Sequence, residues 1–148
     1  MCGFTGFTNY IKDDGTVLGR MMDRIVHRGP DASGQFVDTD IALGFRRLSI
    51  IDLAEGGQPM FNEDKSLVLV FNGEIYNFKE LRAELLEKGH VFANNSDREV
   101  LLHGFEEWGE SMVPRLRGMF AFVIFDRRDR SLFAARDMFG IKPFYYTF

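Results

Sequence analysis

Apolar residues along this chain fall into two patterns. Leu18, Met21, Met22 and Ile25 stand at i, i+3, i+4 and i+7, the spacing of one helix face, and predict a helix over 16–27. Gly29-Pro30 stops it, and the methionine pair reads as core filler. Elsewhere the apolar residues come in short runs. Residues 2–7 read as a strand with Cys2 at its exposed beginning, and 41–47 alternate as a second strand. Residues 67–71 (LVLVF) are apolar throughout, as a strand buried on both faces requires. This run meets Asn72-Gly73-Glu74, where the pattern predicts that the strand ends.

Further along, Asn77 with Glu80 and Ser96 with Glu99 have capping-box spacing. The first predicts a helix to about Lys88 closed by Gly89, the second a helix through Val100, Leu101, Phe105 and Trp108 to Gly109. A short strand is expected at 90–93, a loop at 54–59 (AEGGQP) and a turn over 112–116. Strands at 119–125 and 132–136 flank the charged turn 126–130 as an antiparallel hairpin, and 144–146 read as a last strand. The closing strands lack intervening helices, so a layered α+β domain fits better than a parallel doubly wound one.

Composition narrows the class. At 148 residues the chain is one domain, able to bury about two thirds of its unfolded surface. A 45% hydrophobic content with 16 phenylalanines predicts a well-filled core. A net charge of −4 argues against nucleic acid as a partner, and no apolar run is long enough to cross a membrane. One cysteine excludes a disulfide framework and makes a reducing cytoplasm the natural compartment. His27, His90 and His103 lie far apart in sequence without metal-ligand spacing, so no metal site is expected and structural or surface roles are assigned to each.

That single cysteine is Cys2, which becomes residue one if Met1 is removed. It would then carry a thiol nucleophile and a free α-amine that accepts the thiol proton, a nucleophile with its base built in. Three other places could complete a site. Asn72-Gly73, directly after a buried strand, offers an amide and an unencumbered backbone N–H as an oxyanion site. The same dipeptide is a strong hairpin-turn signal, and on the residues alone the turn outweighs the oxyanion reading. Either Arg46 or Arg47 can hold a carboxylate bidentately, or both are a solvated strand end. Asp97, in the first turn of a helix, serves capping electrostatics alone or accepts an ammonium. Together these groups describe a cage for a zwitterionic amino acid whose side-chain carbonyl meets the thiol.

Several segments carry a resemblance in one order over essentially the whole chain: Met1-Cys2-Gly3, His27-Arg28-Gly29-Pro30-Asp31, Arg47-Leu48-Ser49-Ile50-Ile51-Asp52, Asn72-Gly73-Glu74-Ile75-Tyr76-Asn77, Ser96-Asp97, Arg117-Gly118-Met119-Phe120-Ala121-Phe122 and Arg136-Asp137 with Gly140-Ile141-Lys142-Pro143. They resemble the glutaminase domain of glutamine-hydrolysing asparagine synthetase, a class II glutamine amidotransferase. The resemblance implies a four-layer αββα sandwich of the N-terminal-nucleophile hydrolase type, expected here to lack its last strands.

Carried onto matching positions, the resemblance implies Cys2 as nucleophile, with Asn72 (side-chain amide) and Gly73 (backbone N–H) as the oxyanion hole. Arg47 would hold the α-carboxylate of L-glutamine, Asp97 and Glu74 would face its α-ammonium, and backbone from Leu48 through Ser49 and Ile50 to Ile51 would line the site. No cofactor is implied for this domain; ATP and magnesium belong to a synthetase domain, the implied ammonia-accepting partner. Ending at Phe148 reads as a shortened domain whose exposed edge favours a homo-oligomer. Asn94, Asn95 and Arg98 stand where the family usually has threonines, and Arg98 beside Asp97 predicts weaker glutamine binding. The competing readings are a catalytically silent fold or assembly module, and the glutaminase half of another amidotransferase.

Overall fold

The computed structural model describes residues 2–8, 15–48 and 57–148. Two antiparallel sheets face each other between two helical layers. The first sheet has the order β1-β3-β2, from β1 (Gly3–Thr8), β2 (Ala32–Asp38) and β3 (Ile41–Arg47). The second runs β4-β5-β6-β7, from β4 (Met60–Phe61), β5 (Leu67–Ile75), β6 (Gly118–Asp126) and β7 (Ser131–Arg136). Helix α1 (Thr16–Arg24) covers the outer face of the first sheet, and α2 (Phe78–Glu87) with α3 (Asp97–Trp108) covers the outer face of the second. This is the αββα sandwich.

Period-two alternation sorts each strand between layers. On β5, Val68 and Val70 join Ile41, Leu43, Phe45, Val123 and Phe125 between the sheets. Leu67, Leu69 and Phe71 point the other way, into a cluster with Leu81, Leu85 and Leu101 of the helices. Under α1, Leu18 and Met22 are buried against Ala42 and Phe7, as the helical spacing requires. The helix ends sooner than the pattern predicts, at Arg24, and a 3-10 turn (Val26–Arg28) leads to Gly29.

Five expectations need correction. Strand β5 does not stop at Phe71: it pairs with β6 residue for residue from Leu67↔Asp126 to Ile75↔Gly118, so Asn72-Gly73 lies inside a strand and makes no hairpin turn. Strand β2 was not predicted, because its sequence ASGQFVD carries one large inward aromatic, Phe36, among polar residues and a glycine. Residues 90–93 form no strand: the Glu99 carboxylate accepts the N–H groups of Ala93 (2.6 Å) and Asn94 (2.9 Å) and holds this stretch as coil. That reach takes Glu99 out of its predicted capping box, and the Asn77–Glu80 box does not form either. Ser96 and Asn77 stand at their N-caps without a side-chain cap bond, and Asn77 instead bridges Arg115 O (3.0 Å) and Arg117 N (2.9 Å). Finally, 144–146 are coil, with Phe144 packed on Phe4 between the sheets.

Asp137 ties the segment after β7 to the second sheet. Its buried carboxylate accepts N–H groups of Phe120 (3.2 Å), Ile141 (2.9 Å) and Lys142 (3.0 Å). Burial opposes the charged form, but these bonds more than offset it, and the pKa lies below the ordinary aspartate range. A depressed carboxylate pKa contributes stability above the unfolded value and loses it as pH falls through the folded one. Asp137→Ala should therefore cost about 2 kcal/mol in urea unfolding at pH 7, with the deficit shrinking as pH falls through the carboxylate range.

Candidate active site

Strand β5 supplies the frame, and its backbone shows where a ligand can bind. Even-numbered residues of β5 bond toward β6, so odd-numbered ones present N–H and C=O to the opposite edge. That edge is filled almost completely. Leu67 N–H goes to Asn62 Oδ1 (2.8 Å), Leu69 pairs with Met60, Phe71 N–H goes to Gln58 Oε1 (2.6 Å), and Ile75 N–H goes to Asp97 Oδ2 (2.9 Å). Between Phe71 and Ile75 stands Gly73, whose N–H no described residue accepts. Gly73 is half-buried, so its N–H, left open within a filled edge, can be reached by solvent or by a ligand oxygen. A Cβ on Gly73 would stand 2.7 Å from Phe120 Cα, so the close pairing with β6 itself requires glycine here.

Asn72 continues the face of Val68 and Val70 and so projects between the sheets. It is buried at 6% exposure, and no described group hydrogen-bonds its side-chain amide. Cys2 packs into the same inter-sheet cluster. Its Sγ accepts the Leu48 N–H at 3.5 Å and lies 3.8 Å from Leu48 O, which fixes the thiol beside the end of β3.

Alternation along β3 separates the two arginines. Arg46 faces α1, donating from Nε to Met22 O (3.2 Å) and from Nη2 to Asp23 Oδ1 (2.7 Å). Arg47 is therefore on the face of Phe45, the inter-sheet side shared with Cys2. Leu48 is in place beside the thiol, whereas Ser49, Ile50 and Ile51 lie outside the described residues.

Asp97 opens α3 and docks against the end of β5 through its bond to Ile75. Burial pushes its pKa up, and the neighbouring charge of exposed Glu74 pushes the same way; the Ile75 bond and Arg98 oppose them. Two carboxylates that repel each other beside an open backbone donor make a cation-seeking corner. Arg98 acts on that corner electrostatically, as its position beside Asp97 predicts.

One contact has no counterpart in the sequence reading. Arg28 Nε donates to the Cys2 carbonyl at 3.2 Å, its side chain lies along Gly3, and its Nη2 is buried without a hydrogen-bond partner. It clamps the backbone of the cysteine-bearing residue. The HRGPD motif contained this residue, but a contact across 26 positions leaves no local signal.

An αββα sandwich of two antiparallel sheets, with Cys2 packed between them at the start of β1, has the architecture of an amidotransferase-type N-terminal-nucleophile domain. The glutamine phosphoribosylpyrophosphate amidotransferase of Bacillus subtilis, solved with ADP and GMP, superposes with a TM-score of 0.50 at 26% identity, covering 62% of this chain and 22% of that one. Residues 1–148 match the glutamine amidotransferase domain model, and the chain belongs to that family. Asparagine synthetase [glutamine-hydrolyzing] 1 of Bacillus subtilis is 50% identical over 99% of this chain, and the Zea mays asparagine synthetase is 46% identical over 98%. The chain spans about a quarter of the length of these relatives, 24% and 25% respectively.

Proposed function

We propose that this domain hydrolyses L-glutamine to glutamate and ammonia through a thioester on Cys2. With Met1 removed, the α-amine takes the thiol proton and the thiolate attacks the side-chain carbonyl carbon of glutamine. The developing oxyanion accepts hydrogen bonds from the Asn72 amide and the Gly73 N–H. The C–N bond then breaks, ammonia leaves with the proton returned by the amine, and water cleaves the thioester to release glutamate and restore the thiol. Arg47 holds the α-carboxylate, and Asp97 with Glu74 holds the α-ammonium; the cation relieves the repulsion between the two acids. Backbone from Leu48 to Ile51 lines the bound amino acid.

The observation carrying this reading is the edge of β5, filled at 67, 69, 71 and 75 and open at 73. We further propose that the ammonia feeds ATP-dependent synthesis of asparagine from aspartate, as the names of the relatives suggest. The partner would be a synthetase domain, where ATP and magnesium act; the glutaminase chemistry itself uses neither. Intact mass and ammonia release from glutamine on one sample test the reading. A mass lacking one methionine together with turnover supports it, whereas methionine loss without turnover sinks it in favour of a silent fold.

Asp97 gives a further test. Its raised pKa means that the ionised form costs stability, a cost absent below the unfolded carboxylate pKa and complete once pH rises past the folded one. Asp97→Asn keeps an oxygen for the Ile75 N–H but loses the charge. It should melt at a higher temperature than wild type near pH 7, with the gap closing in the carboxylate pH range. Its KM for glutamine should rise by about 10-fold or more. A KM unchanged beside a higher Tm would remove Asp97 from the substrate site. Arg98→Thr should act in the opposite sense and lower KM, read in the same assay.

A further inference from the structure

On the outer face of the second sheet, His90 and His103 meet, although they are 13 positions apart in the sequence. The α2–α3 connection carries His90 back over α3 until the ring centroids are 5.1 Å apart. Glu106, one helical turn after His103, reaches between them: its Oε2 is 2.9 Å from His103 Nδ1 and 3.7 Å from His90 Nδ1. One donor atom from each of the three residues lies within 4.8 Å of the others. The expectation of unrelated histidines therefore fails for this pair, because their proximity is created by helix packing and by no local spacing.

The groups behind these three residues are arranged as supports for metal ligands. Glu106 Oε1 accepts from Asn62 Nδ2 at 2.7 Å, which fixes the carboxylate and leaves Oε2 inward. His90 Nε2 lies 3.2 Å from Glu107 Oε2, and Glu107 is held by Lys88 at 2.9 Å. His103 is 2% exposed and its Nε2 has no hydrogen-bond partner, with Glu63 Oε1 at 3.5 Å and Glu99 Oε1 at 3.7 Å. A cation on the Nδ1 side would oblige Nε2 to carry the proton, and those two carboxylates are then its acceptors. A metal-bound histidine characteristically turns its other nitrogen to a carboxylate. His90 has that second partner in Glu107, and Glu63 and Glu99 are the carboxylates nearest the unpartnered His103 Nε2; carboxylates outnumber the nearby cations Lys88 and Arg128, so the cluster favours positive charge.

We infer that His90, His103 and Glu106 form a binding site for a divalent transition-metal cation of the zinc type. Imidazole with carboxylate is the donor set such ions take, at bond lengths near 2.0–2.2 Å. Those lengths space tetrahedral ligands about 3.4 Å apart. The 2.9 and 3.7 Å separations bracket that value, and His90, on coil after Gly89, closes the widest gap by turning its ring. The site lies in the α2–α3 layer and is independent of the glutaminase reading.

The test titrates zinc into the chelator-treated, tag-free full chain by calorimetry. Cys2→Ser serves as the background, so that the thiol does not compete. One zinc should bind per chain at micromolar concentration, and cobalt in its place should give visible bands of a four-coordinate ion. His90→Gln, on coil and away from the core, should weaken binding at least about tenfold with its circular dichroism unchanged. His103→Gln and Glu106→Gln should do likewise if they fold. No zinc binding at micromolar concentration, or undiminished affinity in His90→Gln, overturns the proposal and leaves a proton-held ion network.

Discussion

Cys2→Ala is expected to lower ammonia release from glutamine by about 10⁶-fold, the scale on which deleting a nucleophile silences a covalent mechanism. The fold should survive, because the side chain is only partly buried and, among the described residues, its thiol makes only long, weak bonds, to the Leu48 N–H and carbonyl. Unfolding free energy should stay within about 1 kcal/mol of wild type. The comparison needs intact mass on both proteins, since alanine at the second position permits removal of Met1 as cysteine does. If Met1 stayed in place, the nitrogen of Cys2 would be an amide and could not accept the thiol proton. Residual turnover in Cys2→Ala above about one part in 10³ would mean that another group attacks glutamine. Acid quenching of the wild type during turnover should also trap a protein heavier by one glutamyl group, and Cys2→Ala should show none.

Much of the fold was legible in the sequence where burial is asymmetric. Strands β3, β6 and β7 and both long helices begin and end within about two residues of their predicted limits, because each carries a sustained apolar face. Legibility failed where long-range pairing decides the structure. Nothing in ASGQFVD marks an edge strand; β3 imposes it, residue by residue, from Ala32↔Arg47 to Asp38↔Ile41. Glu99 looked like a capping partner for Ser96, yet its buried carboxylate serves Ala93 and Asn94. Local spacing proposes a hydrogen bond, and tertiary contacts choose among the donors available.

The same division runs through the site. Cys2 was legible because it is the lone cysteine beside Met1, and Arg47 is distinguished from Arg46 once β3 has two faces to divide them. Arg28 was not, since its partner is a backbone carbonyl 26 residues away. His90 and His103 were hidden for the same reason, with two helices needed to bring them together. Asn72-Gly73 stood between two readings because a hairpin turn and an oxyanion site ask for the same residues. Only the unbroken pairing with β6 removes the turn.

That pairing also shapes what Asn72→Ala should do. A buried asparagine kept for stability would spend its amide on protein groups, and truncation would then destabilise by orphaning them. Here the side chain is mostly buried but no described group takes its amide, so alanine orphans no described protein partner and should leave stability little changed. Catalysis should fall all the same. Losing one oxyanion donor costs about 10²–10³ in kcat, with KM little altered, because the bond strengthens as charge builds on the carbonyl oxygen. A Tm held or raised beside a kcat reduced on that scale places the amide in the transition state. If Tm falls and kcat holds, Asn72 is a structural residue, and the Gly73 N–H is left as the only donor on this strand edge for the oxyanion.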